Sequence, residues 1–559
     1  MNRPDPGVFS RLTTHPRHLA ARVRYEVWQW LRTVLPLHVK TWAKRSILRR
    51  PQEGWGRLVH QDQHSLAAMS FDPAAAAVLP RPDRAPRQPK HDLIVFAATD
   101  WHAGFQRPQQ LARLFADDGH RVFYISPSLG DTSAPGTATS PVMTTIRPRV
   151  YEIHLHKPPA LDVNPAHRQS DALATWMNVF ERLQQEQGIV DAVLVVHLPL
   201  WGPLATRLRE RFSWKLVYDP LGLHGGFAPN DPPTRGDETA VAAESDLVVV
   251  ASPALYAELQ VRNPQFICVP NGADQAAESH SWERCYLQLA EAIRHLYPQA
   301  SIIVPTHNNL HLTRICLDSV FRNTSWPNWE VIVIDNASTD GAPGYLRELE
   351  ARHDNVRCIF NERNEGFARA INHGIAAAGG EYLVLLNNDT IVTRGWLTTM
   401  LRYVDAHGDV GMVGPATNLA GNEARIDVDY ASIEEMEAFA ERYTREHADE
   451  AMALNMLGFF CAVIPRRVFD EVGPLDERFG IGMFEDDDLS LRVRRAGYRL
   501  VCIDGAFVHH FHSATWRRFS QKEYLHLFET NRAKFEEKWG IRWKPHRYRW
   551  RRPQQPAPR

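Results

Sequence analysis

Residues 483–492 read MFEDDDLSLR, with four consecutive acids, Glu485 to Asp488, between an apolar Met-Phe pair and an amphipathic run. Two chemistries account for such a run. Acids in the first turn of a helix offset the positive end of its dipole. One of them can also act as a general base, because like-charged neighbours raise its pKa toward neutrality. Three more polar clusters stand upstream: Pro305-Thr306-His307-Asn308, Asp335-Asn336-Ala337-Ser338-Thr339-Asp340 and Asn387-Asn388-Asp389. A histidine-rich stretch, VHHFHS, follows at 508–513. Taken singly, each cluster also reads as a turn or helix cap, and the histidines as a surface group. A closed zinc site normally adds cysteines, which VHHFHS lacks.

The elements that must position these clusters are legible as alternating runs. SIIVPT, WEVIVIDN, VRCIF and EYLVLLNND read as strands, separated by helical patterns near 310–323, 341–352 and 365–378. The three polar clusters therefore end three strands of a parallel α/β sheet, where ligand crevices form. Residues 91–278 repeat the texture: HDLIVFAA, RVFYIS, DAVLVVHL, KLVYDP, DLVVVAS and FICVP read as strands of a second such sheet. It has no GxGxxG after its first strand, so the dinucleotide fingerprint is absent. His102, Arg107, His197, Asp219 and His224 are either cleft-lining or turn-holding residues at its strand ends. Helical spacing over 279–298 predicts a connecting helix. The fold class expected is α/β, two Rossmann-like domains in one chain.

Length and composition agree: 559 residues, 44% hydrophobic, 23% charged and a net charge of −1 suit a soluble chain of two or three domains, with no overall pull toward nucleic acid. Six scattered cysteines without a CxxC pair suit a reducing cytoplasm. No apolar stretch reaches the roughly 20 residues of a membrane span, and the N-terminus lacks a signal-peptide core. The ends are basic. Residues 1–50 carry eleven Lys/Arg against Asp5 and Glu26, and the tail 541–559, ending WKPHRYRWRRPQQPAPR, has seven and no acid. Within 1–90, a basic amphipathic helix and a Pro/Ala-rich linker read either as a membrane-surface attachment or as a helix packed on its own protein.

In order and spacing, PTHN, IDNASTDG, NEGFARAINHGI, LLNNDT, FEDDDLSLRVRRAGYR and VHHFHS resemble a family-2, GT-A type glycosyltransferase over 299–540. WHAGFQRPQQLARLFADDGHRVFYIS, YDPLGLHGGF, SDLVVVASPALY and PNGAD look like the N-terminal half of a GT-B glycosyltransferase, without the half that grips the donor. The first resemblance implies an inverting, metal-dependent transfer from a nucleotide sugar to a glycan hydroxyl. Asp486, beside Glu485, would be the general base, with Asp488 as the lesser candidate or a helix cap and Asp487 facing solvent. Pro305, Thr306, Asn308, Asp335, Asn336, Asn364, Gly366, Arg369, Asn372, Asn387 and Asn388 would hold the nucleotide sugar. Asp389 and His510, or else His509, would bind Mg²⁺ or Mn²⁺. Asn387 stands where the family usually has an aspartate, and His512 where glycine is usual. Gly458, Phe459 and Phe460 would form the acceptor floor.

A UDP- or dTDP-linked donor and a glycan acceptor, lipid-linked at the inner face of the cytoplasmic membrane as in bacterial surface-polysaccharide assembly, complete the expectation. The competing reading is a catalytically inactive glycan-binding or scaffold protein.

Overall fold

The structure is a computed structural model that describes residues 90–130, 142–156, 165–221, 234–252, 263, 265–272, 281–511 and 520–549. The basic N-terminal segment, His224, the end of PNGAD, His512, Ser513 and residues 550–559 lie outside the described residues.

The first sheet runs in the order β3-β4-β2-β1-β5-β6-β7-β8. Strands β1 (Asp92–Phe96), β2 (Val122–Gly130), β5 (Ala192–Val196), β6 (Lys215–Tyr218), β7 (Leu247–Val250) and β8 (Phe266–Cys268) pair in parallel. They are the six apolar runs of the sequence. The run DLIVF is buried at every position, as a central strand covered on both faces must be. The edge hairpin β3 (Val142–Arg147) and β4 (Val150–His156) was not foreseen: β3 is mostly exposed, and VMTTIR carries no apolar alternation to announce it.

Of the residues singled out at these strand ends, three converge into a buried tie. Arg107, in helix α1 (Arg107–Asp117), donates through Nε to both oxygens of Asp219, at 3.1 and 3.0 Å. The Arg107 Nη1 reaches the carbonyl of Val269 at 3.0 Å, and His197 Nδ1 meets the Asp219 carbonyl at 2.7 Å. The tie links the ends of β5, β6 and β8, whereas His102 is exposed.

The connecting helix forms at Trp282–Arg294, numbered α5 after α2 (Pro165–Glu186), α3 (Gly202–Phe212) and α4 (Thr234–Glu244). Ser281 caps it by accepting from the Arg284 N–H at 3.2 Å. Its buried Cys285, Leu289 and Ile293 belong to one apolar cluster shared by both sheets. Across the same seam Arg402 reaches the buried Asp191 at 2.5 Å.

The second sheet runs β11-β10-β9-β12-β16-β14-β17-β13, with β15 (Ala451–Leu454) on β17. Strands β9 (Ala300–Thr306), β10 (Trp329–Asp335), β11 (Val356–Phe360) and β12 (Tyr382–Leu386) are parallel. Beyond β12 the sheet turns mixed: β16 (Cys461–Pro465) is antiparallel to β12 and to β14 (Val410–Ala416), and β14 pairs in parallel with β17 (Arg499–His510). The short β13 (Thr390–Val392) pairs antiparallel with the end of β17, setting Thr390 opposite His510. The helices of this half are α6 (Leu310–Asn323), α7 (Ala342–Arg352), α8 (Phe367–Ala377), α9 (Trp396–Ala406), α10 (Ile433–Glu446), α11 (Arg466–Val472), α12 (Glu485–Arg495) and α13 (Gln521–Trp539).

Candidate active site

The strand-end clusters meet as the parallel sheet requires. Thr306 ends β9, Asp335 ends β10, and Asn387-Asn388-Asp389 follows β12. Pro305 pairs with Ile334 within the sheet. Asn388 Nδ2 donates to the Thr306 hydroxyl at 3.1 Å and to that of Thr313 at 2.9 Å. Thr306 is thus buried beneath the crevice surface. Asn308, in the left-handed region at φ 59°, accepts from the Thr339 N–H at 2.7 Å, while its own N–H donates to the Ser338 hydroxyl at 2.6 Å. Asp335, buried, accepts the Ser338 N–H with both oxygens at 3.3 Å.

Asn336 binds the next loop on both sides of its amide. Its Nδ2 donates to Asn364 Oδ1 at 2.9 Å and to the Gly366 carbonyl at 3.1 Å, and its Oδ1 accepts from the Glu365 N–H at 3.0 Å. Asn372 exchanges bonds with the backbone of Leu475 at 3.0 Å each way, and Arg369 approaches Glu477 at 3.3 Å. These two side chains clip α8 to the loop that leads to the acidic turn.

The β13–β17 register brings Asp389 and His510 together, His510 Nε2 lying 3.4 Å from Asp389 Oδ1 with both side chains buried. His510 Nδ1 sits 3.1 Å from the Leu419 carbonyl, which turns the Nε2 side of the ring toward Asp389. A carboxylate and an imidazole nitrogen are both ligand types that a divalent ion takes. The pair therefore fits a divalent metal. Among the described residues no third His, Cys, Asp or Glu joins them. The Phe460 ring stacks on His510 at 5.3 Å. His509 points elsewhere, with Nδ1 2.7 Å from the Tyr430 hydroxyl, and burial lowers its pKa to about 3. Phe459 is packed in the apolar core rather than open at an acceptor floor, and Gly458 is half-buried beside it. The Asn387 backbone is fixed by its N–H to the Phe460 carbonyl at 2.9 Å and by its own carbonyl, which accepts the Thr390 hydroxyl at 2.7 Å.

The acidic turn is a helix start and more. All four acids occupy the first turn of α12, but they have separate occupations. Asp488 is fully buried, bonded to Arg492 at 3.0 Å, to the Trp539 indole at 2.9 Å and to Lys538 at 2.6 Å. That environment makes it an anchor for α13. Asp487 does not face solvent: it accepts from the Trp543 indole at 3.0 Å, and His546 Nε2 approaches it at 2.9 Å. Glu485 is buried, and burial followed by the charge of Asp486 pushes its pKa well above the carboxylate range. Asp486 remains half-buried. Burial first, then the Asp487 charge, raises it to about 7.

The backbone entering this turn is strained. Met483 and Phe484 both adopt positive φ, 79° and 76°, a conformation costing about 1–3 kcal/mol per residue and found where surrounding structure enforces it. The enforcement comes from α13 and the residues just after it. Phe484 packs against Phe528, Phe535 and Trp543 at 5.2–5.7 Å between ring centres. Asn531, fully buried, donates to the carbonyls of Phe479 at 2.8 Å and Gly482 at 2.9 Å. Asn531→Ala is expected to lower stability by about 2–3 kcal/mol, since it strands two buried carbonyls. Urea unfolding at pH 7.5 measures it.

Residues 301–473, in the C-terminal half, match the glycosyl transferase family 2 model. The match ends before the acidic turn and the histidines. A Sinorhizobium fredii protein described as uncharacterized protein y4gI is 29% identical over 39% of this chain and 25% of its own length. The putative glycosyltransferase EpsH of Bacillus subtilis is 26% identical over 43% of this chain and 70% of its own. The O-antigen biosynthesis protein RfbC of Myxococcus xanthus is 29% identical over 39% of this chain and 18% of its own. The chain thus spans a quarter or less of two of these three relatives.

Proposed function

We propose that this protein is an inverting glycosyltransferase that moves a sugar from a nucleoside-diphosphate donor to a glycan hydroxyl, with Asp486 as general base and Asp389 and His510 as metal ligands. The observation that carries this reading is the coincidence, in the half of the chain that holds the family-2 match, of a half-buried carboxyl raised to about 7 and a buried Asp–His pair 3.4 Å apart. A base works best with a pKa near the operating pH. Asp486 meets that condition through burial and Asp487. Attack by an acceptor oxygen transfers its proton to Asp486 while the anomeric bond to the diphosphate breaks, with inversion at the anomeric carbon. A divalent ion on Asp389 and His510 would supply Lewis-acid stabilisation of the diphosphate.

Asp335 and the loops tied by Asn308, Asn336, Asn364 and Gly366 frame the nucleotide end. Phe460, against His510, borders the sugar. The name of RfbC, an O-antigen biosynthesis protein, supports a polysaccharide acceptor, and a UDP- or dTDP-linked donor and a lipid-linked glycan are the substrates we infer. The N-terminal domain, on its resemblance to half of a GT-B enzyme, is assigned an acceptor- or partner-binding role. No described helix is long and apolar enough to cross a membrane, and the inner membrane face remains part of this proposal.

His510→Ala is expected to weaken Mn²⁺ binding by about 10–100-fold, the range for loss of a supporting metal contact or ligand, whereas His509→Ala leaves it within about twofold. Isothermal titration with Mn²⁺ and UDP decides between them. Equal losses would contradict the assignment.

A further inference from the structure

Behind α13 the chain does not leave the domain. Gly540 reverses it, Trp543 donates its backbone N–H to Glu536 at 2.9 Å, and Arg549 grips both oxygens of Asp504 at 2.7 Å. Residues 541–549 therefore form a strap fastened on both sides of His546. The strap passes directly over the acidic turn. His546 Nε2 and the Trp543 indole meet the same oxygen, Asp487 Oδ1, at 2.9 and 3.0 Å. The backbone N–H of Asp487 in turn donates to Asp486 Oδ1 at 2.9 Å. A continuous set of contacts thus runs from the strap, through Asp487, to the carboxyl assigned as the base.

We propose that His546 is a positioning residue for Asp486: its imidazolium, held on Asp487, offsets the charge beside the base and keeps the Asp487 N–H aimed at it. The proposal rests on the reading of Asp486 as the base. The charged groups facing His546 are Asp487, Asp486 and Glu423; those facing Asp486 are Glu485, Asp487 and His546. Burial works against the imidazolium, but the contact with Asp487 and the three acids outweigh it and raise the His546 pKa above its ordinary value. The protonated ring in turn favours the Asp486 carboxylate. Removing it must raise the pH at which the base becomes available.

The test is the pH profile of kcat/KM with whichever UDP-, dTDP- or GDP-linked hexose the wild-type protein turns over. His546→Gln is expected to move the midpoint of the acidic limb upward by about one pH unit, and His546→Lys to bring it back. A midpoint that stays in place while kcat falls at every pH overturns the proposal, because it shows a purely structural role. Ring NMR of His546 gives a second reading that needs no turnover: its titration midpoint falls when Asp487 becomes Asn, and an unchanged midpoint overturns the proposal. Full turnover in Asp486→Asn would overturn the base assignment and the proposal with it. A dead Asp486→Asn with an unmoved His546→Gln profile would overturn this proposal alone.

Discussion

Replacing Asp486 by Asn is expected to lower the rate of sugar transfer by about 10²–10⁴-fold, the usual contribution of a general base, while leaving nucleotide binding within about threefold. The expectation follows from position as much as from acidity. Asp487 and Asp488 are engaged by the C-terminal helix and strap, and Glu485 is buried. That leaves Asp486 as the half-buried acid of the turn that neither the helix nor the strap engages directly. In the wild type, transfer should rise with pH through about 7, as the raised carboxyl gives up its proton. The same shift makes a prediction about stability. A carboxyl raised in the folded state costs stability as pH climbs from its unfolded value near 4 through the folded one. Asp486→Asn removes that cost, so the variant should be at least as stable as wild type at pH 8 and equal to it near pH 4. Single-turnover rates and thermal unfolding at the two pH values check both halves. A variant that is slow and also less stable at pH 8 would assign Asp486 to the scaffold.

Gly366→Ala is expected to cost about 3 kcal/mol or more and to disable the site. Gly366 lies at φ 89°, and a Cβ there would stand 2.2 Å from the Gly480 carbonyl oxygen and 2.7 Å from its carbon. Both are backbone atoms and cannot swing aside. Left-handed strain adds about 1–2 kcal/mol to the clash. The contact joins the loop bound by Asn336 to the loop that carries Met483 and Phe484 into the base helix. Displacing it moves the nucleotide side and the base side apart, and an error of about 1 Å in such a site can cost 10²-fold in rate. Gly480→Ala is the internal control. Gly480 also has positive φ, 66°, but a Cβ there meets nothing within 4 Å, so only the conformational cost of about 1–2 kcal/mol is expected. Chemical denaturation of the two variants side by side measures the difference; equal losses would show that the close approach does not constrain the loops.

The fully buried strands were the legible part of the sequence. Runs such as VLVV and VIVI have one stable placement, inside a sheet covered on both faces. The strand-end clusters were legible for the same reason, since polar residues after such runs have to emerge at one edge. Asp389 and His510, 121 positions apart, fall together because β13 is only three residues long and pairs with the end of β17; the family resemblance put His510 ahead of His509, and the strand register is what sets His510 beside Asp389. What could not be read is what depends on distant partners. WKPHRYRWRR reads as a basic arm because its own neighbourhood holds no acid. Its acids, Asp487 and Asp504, lie 45–59 residues upstream and consume Arg549, Trp543 and His546. Arg369 and Asn372 sit in a stretch that resembles a nucleotide loop, yet the 475–477 segment takes up both side chains. Asn531 gave no local signal at all, being one amide in an ordinary amphipathic helix.

The most direct test of the central claim is release of nucleoside diphosphate by the purified full chain. UDP-, dTDP- and GDP-sugars would be offered with Mn²⁺ or Mg²⁺ and a glycan acceptor, to wild type, Asp389→Ala and Asp486→Asn. The account predicts release from one donor class that depends on the added metal and is lost in both variants, with nucleotide binding retained in Asp486→Asn. Release that proceeds undiminished in both variants, or a protein that binds no nucleotide with either metal, would contradict it.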